Sequence, residues 1–269
     1  MLSRRVFLAR SALAAYAFVR ASPTRASVIH PALLAPRRRD GHLLRVGTLL
    51  GADDTELAKG LRFGAEEAMR SASLLGWRIE HVDLRASANQ QSLDDVHAIV
   101  LGGGTRSASR RGIPIVRGTS QPVADDTLRI APDDTTLARS LAELPTADRR
   151  SGASYQVVVW HPSLDRFGAE QLNNRYRAAT ATEMSPEAWI GWLAFKLLAE
   201  TAMRARSVEP AALTSYLRAP TTQFDGHKGA PLRFSARGEL LQPLYLVRRD
   251  AGSTTWTVER EIAPRSDPV

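Results

Sequence analysis

The sequence predicts an α/β fold: a parallel sheet flanked by helices and followed by a C-terminal antiparallel β-meander. Three observations carry that prediction. Short apolar runs at residues 43–50, 78–84, 96–101 and 113–116 read as strands, and the first is apolar nearly throughout, as a strand covered on both faces should be. An amphipathic helix separates the first two runs, and a β–α–β order gives parallel pairing with right-handed crossovers. From residue 224 the pattern changes. Gly226, Gly229, Gly238 and Gly252 separate β-prone runs at 232–234, 244–247 and 255–258, which read as the meander.

The elements follow in order. Gly51-Ala52-Asp53-Asp54-Thr55 supplies a turn and an N-cap for the first helix, where Leu57, Leu61, Ala65, Ala68, Ala72 and Leu75 recur at helical spacing and Gly76 ends the run. Spacers of 11 residues, 85–95 and 102–112, separate the next strands. A parallel crossover needs about a dozen residues or more, so both stand at the lower limit. Residues 128–131 form a further short strand, and Pro132-Asp133-Asp134-Thr135 starts a helix running to about residue 144. After a polar linker (145–154), residues 155–160 (YQVVVW) are the most β-prone run in the chain. Residues 169–181 are helical. Ser185-Pro186-Glu187 then opens a strong helix whose Trp189, Trp192, Leu193 and Leu197 make it mostly buried, and a shorter helix spans 210–217.

The chain has 269 residues, 43% of them hydrophobic, which suffices for one large domain or two small ones. The formal charge is +8, but Arg4, Arg5, Arg10, Arg20 and Arg25 lie in an N-terminal stretch without an acid. No basic stripe interleaved with aromatics follows, which argues against nucleic-acid binding. Ser3-Arg4-Arg5-Val6-Phe7-Leu8 resembles the twin-arginine export motif; the apolar stretch after it, 12–19, is too short to span a bilayer. Residues 1–26 are therefore expected to be an export signal cleaved after Ala21 or Ala26, 27–42 a flexible linker, 43–262 the folded domain and 263–269 a tail. There is no cysteine, which removes thiol catalysis, zinc–thiolate sites and a lipoprotein anchor.

Residues 97–120 (HAIVLGGGTRSASRRGIPIVRGTS) hold the chemistry of interest. Two strands each run into a loop of small and hydroxyl residues, Gly102-Gly103-Gly104-Thr105 and Gly118-Thr119-Ser120. In an open parallel sheet, ligands bind where the carboxyl ends of the strands release such loops. Backbone amides and hydroxyls there can hydrogen-bond a polar small molecule.

These residues are similar to a known family. Arg45-Val46-Gly47-Thr48-Leu49-Leu50, Ala98-Ile99-Val100-Leu101-Gly102-Gly103, Gly112-Ile113-Pro114-Ile115-Val116, Leu128-Arg129-Ile130-Ala131-Pro132 and Phe224-Asp225-Gly226 with Gly229, Leu232, Phe234 and Gly238 resemble the type 1 periplasmic binding proteins. These are the leucine/isoleucine/valine-binding class of ABC-transporter solute receptors. Trp160-His161-Pro162-Ser163-Leu164, Phe167-Gly168-Ala169, 173–176 and 224–228 resemble the branch found with PQQ-dependent alcohol oxidation systems. The resemblance implies two α/β lobes clamping a solute, with most of the second lobe missing here, since only ten residues stand between Leu144 and Tyr155. It also implies that the amino-acid-binding role of the first lobe falls on Thr105, Ser107, Gly118, Thr119 and Ser120.

Sharper chemistry finds little support. Gly102-Gly103-Gly104 has no following lysine to make a phosphate loop, and neither a G-x-S-x-G elbow nor a His–Asp pair at recognisable spacing occurs. The scattered histidines show no metal-ligand spacing and read as surface or hydrogen-bonded groups. The Asp53-Asp54, Asp94-Asp95, Asp125-Asp126 and Asp133-Asp134 pairs read as helix caps and loop residues, and most of Arg106, Arg110, Arg111 and Arg117 read as solvated.

The expected function is a periplasmic solute-binding component of an ABC importer, without catalysis, cofactor or metal. It captures a small polar molecule reversibly and presents it to a membrane permease. The alternative is an accessory protein that has lost solute binding and contacts a periplasmic quinoprotein dehydrogenase; a third reading is a small α/β enzyme.

Overall fold

A computed structural model describes residues 42–85, 95–103, 113–119, 127–143 and 152–264. Five strands, β1 (Leu43–Leu49), β2 (Arg78–Asp83), β3 (Ala98–Leu101), β4 (Ile115–Arg117) and β5 (Leu128–Arg129), form one sheet in the order β2-β1-β3-β4-β5. Every pair is parallel, with Val46 opposite His81 and Ala98, Val100 opposite Val116, and Val116 opposite Leu128. The short spacers thus connect parallel strands, although most of their residues lie outside the described ones. Strand β4 begins two residues later than the apolar run, after Pro114, whose missing N–H suits it to precede a ladder.

Helix α1 (Thr55–Leu74) ends as its sequence predicts. The Trp77 and Gly76 amides return to Ala72 O and Ser73 O, and Gly76 takes φ of 75°, a conformation that favours glycine. Helix α2 (Asp134–Ala142) is capped by Asp133, whose carboxylate accepts from Thr136 N–H at 2.6 Å. Helix α3 (Ala169–Thr180) precedes α4 (Pro186–Ala205), where Ser185 Oγ accepts from Ala188 N–H at 3.1 Å. Helix α5 (Pro210–Arg218) closes the helical part.

Helix α4 is the hydrophobic centre. Trp189, Leu193, Phe195 and Leu197 are wholly buried, and Trp192 nearly so. It lies almost backbone to backbone on α1: a Cβ on Gly60 would come 1.9 Å from Ala188 O, and one on Gly191 2.3 Å from Leu57 O. Only glycine permits that approach. The indole hydrogens find acceptors, as buried tryptophans usually do. Trp160 Nε1 donates to Asn173 Oδ1 (3.0 Å), Trp189 Nε1 to Gly226 O (3.2 Å) and Trp192 Nε1 to Glu67 Oε2 (2.9 Å).

The C-terminal strands do not make one continuous meander. Strands β7 (Arg233–Phe234) and β8 (Leu240–Leu241) pair only with each other as a two-stranded ladder. Strands β9 (Leu244–Arg249) and β10 (Thr257–Ile262) form a three-stranded antiparallel sheet with β6 (Ser154–Val158), in the order β10-β9-β6. Pro243, between β8 and β9, cannot donate to a ladder and marks the break. Strand β10 runs on to Ile262, well past the expected end, across a register shift between Val258 and Arg260.

Candidate functional site

The carboxyl edge of the parallel sheet gathers Gly51 after β1, Gly102 and Gly103 after β3, Gly118 and Thr119 after β4, and Ile130 after β5. Parallel pairing in register forces this convergence, because all five strands point the same way. Thr105, Ser107 and Ser120 lie outside the described residues, as do Gly104, Arg106, Arg110 and Arg111. Of the five residues singled out in the sequence, Gly118 and Thr119 are described, and both stand at this edge.

One neighbour corrects the sequence reading and another refines it. Asp54 precedes α1, but its carboxylate makes no cap to that helix. It turns toward the sheet instead. Gly51 N–H donates to Asp54 Oδ2 at 2.6 Å, and Gly103 N–H donates to Oδ2 at 2.9 Å and to Oδ1 at 3.1 Å. The carboxylate thereby ties the β1 loop to the β3 loop, and a Cβ on Gly102 would lie 1.9 Å from Oδ2. The edge gives this carboxylate bonds from two amides, whereas an N-cap side chain typically accepts from one.

Arg117 refines the reading that most of the four arginines are solvated: it is 4% exposed, and its guanidinium donates to Gly102 O at 3.3 Å. As the last residue of a central strand it is covered on both sides. Burial lowers its pKa, against which the Asp54 charge acts. Asp54 thus places an anion near the Arg117 cation at this edge. Beside them, Thr119 Oγ1 is buried without a hydrogen-bond partner, and its Cγ2 lies 3.8 Å from where a Gly103 Cβ would stand. Gly118 is small of necessity, since a Cβ there would meet Leu57 Cδ1 at 2.9 Å.

Several cavities lie elsewhere, two of them lined in part by β9. One of about 290 Å³ opens beyond β5, between the start of α2 and the β7–β8 ladder, among Ala131, Asp133, Arg139, Ser235, Glu239 and Gln242. Arg129 beneath it pairs with both Asp133 and Glu239. The other, about 510 Å³, is lined by Phe167, His227, Lys228, Tyr245 and Glu261. Lys228 is 1% exposed; its ammonium donates to Gln242 Oε1 (2.7 Å) and Pro243 O (2.9 Å) and lies 4.1 Å from the centre of the Trp189 ring. Burial drives its pKa well down. Gln242 Nε2 donates in turn to Ile130 O at 2.7 Å, so this buried lysine is linked to the end of β5.

The histidines are engaged structurally. His81 Nε2 stands 2.9 Å from Thr48 Oγ1, His97 Nδ1 accepts from Arg45 N–H, His161 contacts Ser163, and His42 stacks on Trp77. Among the described residues no group of three or more histidine or acidic side chains is placed to hold a metal ion.

No family model matches the sequence, and no curated protein matches it either. Solved structures do. The leucine-binding protein LivK from Thermotoga maritima aligns with 82% of this chain and 99% of its own at 13% identity and a TM-score of 0.62. The branched-chain amino acid transporter substrate-binding protein LivJ from Streptococcus pneumoniae, solved with isoleucine, aligns with 81% of this chain and 98% of its own at 13% identity and 0.59. An ABC-transporter solute-binding protein from R. palustris, solved with benzoate, aligns with 82% of this chain and 97% of its own at 15% identity and 0.57. The chain thus has the fold of the type 1 periplasmic binding proteins that serve ABC transporters, as the motifs of its first strands indicated.

Proposed function

We propose that the chain is the solute-binding component of an ABC-type importer. It captures a small polar molecule reversibly at the carboxyl edge of the parallel sheet and delivers it to a membrane permease. The observation that carries this reading is the meeting, on this fold, of strand-end amides, an Asp54 carboxylate whose charge is felt by the buried Arg117, and a buried Thr119 hydroxyl without a partner. Among the described residues the Tyr176, Thr201 and Thr214 hydroxyls share that state, and Thr119 is the one that stands at the strand edge. Gly118 and Thr119 contribute from the β4 loop; the hydroxyls of Thr105, Ser107 and Ser120, read from the sequence, complete the set.

The protein acts in the periplasm after removal of its export signal, and it binds without catalysis. Its second lobe is reduced, with the β10-β9-β6 sheet as the part retained. No described helix is long and apolar enough to cross a membrane, so contact with the permease is through a surface of the folded domain.

Thermal denaturation of the mature protein across a panel of amino acids, alcohols, aldehydes and carboxylic acids tests the reading, because a ligand of the native state raises the melting temperature. At least one class is expected to do so, and Thr119→Ala is expected to remove the shift. A panel without effect contradicts the receptor reading; a shift untouched by Thr119→Ala puts the site elsewhere.

A further inference from the structure

The amides of Gly51 and Gly103 converge on one point at the sheet edge, with the buried Arg117 guanidinium nearby, and such a convergence of donors makes an anion-binding position. The chain fills that position itself. Asp54 Oδ2 accepts from both amides, and a Cβ on Gly102 would overlap Oδ2, so the carboxylate sits directly against the backbone of the β3 loop. Asp54 Oδ1, held only by the longer 3.1 Å contact to Gly103, keeps acceptor capacity. Thr119 Oγ1 supplies an independent pointer: it is buried and lacks a partner, although a hydroxyl can both donate and accept.

We infer that Asp54 is an internal substitute for a ligand carboxylate, and that the solute held at this edge is an uncharged hydroxylated molecule. This rests on the receptor reading above and gives its substrate class. Beside Thr119 the charges of the Asp54 carboxylate and the Arg117 guanidinium offset each other. A solute hydroxyl can donate to Asp54 Oδ1 and accept from Thr119 Oγ1 at once, which a carboxylate or an ammonium group cannot. A free carboxylate in the same place would face Asp54 and be repelled.

Two measurements on the mature protein separate the inference from the reading beneath it. In the first, calorimetric titration compares 1,2-propanediol and erythritol with leucine, isoleucine and benzoate at fixed ionic strength. The diols and polyols are expected to bind and the carboxylates not to; Asp54→Asn, which keeps an acceptor but loses the charge, is expected to weaken polyol binding at least fivefold while its circular dichroism matches the parent. Carboxylate binding that Thr119→Ala abolishes would uphold the receptor and overturn this inference.

In the second, Asp54→Gly opens the anion position, and acetate is added against chloride as control. Acetate is expected to raise the melting temperature of Asp54→Gly and to leave the parent unchanged. An equal response to acetate and chloride in both proteins overturns the substitution of Asp54 for a ligand carboxylate. Should Asp54→Gly fail to fold, the Asp54→Asn titration still decides, since unchanged polyol affinity in that variant contradicts the role given to the charge. Acetate rescue without binding of any solute by the parent would overturn the solute class and the receptor reading together.

Discussion

At the scale of single residues, His81 and Lys228 show how burial sets behaviour. His81 is half-buried against Thr48 and stacks edge-on to Phe195, and desolvation lowers its pKa below the usual 6.5, against the attraction of Asp83. His97 and His161 are shifted the same way by burial. A base with a depressed native pKa binds fewer protons folded than unfolded as pH falls below about 6.5, so it destabilises the fold on acidification. Denaturant melts are thus expected to show stability falling from pH 7 to pH 5, and His81→Gln is expected to flatten that slope. A slope unchanged in the variant would assign the effect to the other histidines. Lys228 gives a second outcome. Its truncation to alanine leaves Gln242 Oε1 and Pro243 O without their donor and opens space under the Trp189 ring, a cost of about 2–5 kcal/mol in urea melts.

The residue scale is also where the sequence was least legible. An aspartate before a helix reads as a cap, and Asp133 obeys that rule while Asp54 does not. The difference comes from the Gly103 amide, far from Asp54 in sequence and brought to it only by the folded sheet, which adds to the local bond from Gly51. Arg117 carried a signal that could have been used: as the last residue of a strand in the middle of a covered sheet it had no route to solvent. Lys228 stands in a glycine-rich turn, which gives no sign of the Trp189 and Tyr245 rings over it.

At the scale of elements, local pattern was decisive. The glycine stop of α1, the serine cap of α4 and the apolar run of β1 each appear where periodicity and capping chemistry place them, because those features are settled within a few residues. The antiparallel strands were less accessible, since β6 joins β9 across about 90 residues of chain and nothing local specifies that partner. The α1–α4 crossing depends on Gly60 and Gly191. Gly60→Ala is expected to destabilise by about 1–3 kcal/mol through overpacking, although alanine is the better helix former. Gly76→Ala provides a contrast: no atom crowds that position, so its cost comes only from the positive φ and should be near 1 kcal/mol. Chemical denaturation of the two variants checks both.

At the scale of the molecule, the Lys228–Gln242–Ile130 chain fastens the β8–β9 turn to the end of β5. Fold class could be read from the β–α–β order and the position of the glycine loops, and the solved relatives agree with it across most of the chain. The proposed capture of solute at the carboxyl edge of this sheet, beside Asp54 and Thr119, has a direct readout. The direct measurement is the change in backbone amide chemical shifts on titrating solute into the isotopically labelled protein. Saturable shifts are expected to concentrate at Gly51, Gly103, Gly118 and Thr119. Shifts concentrated instead around Phe167, Lys228 and Tyr245, with the strand edge silent, would contradict it.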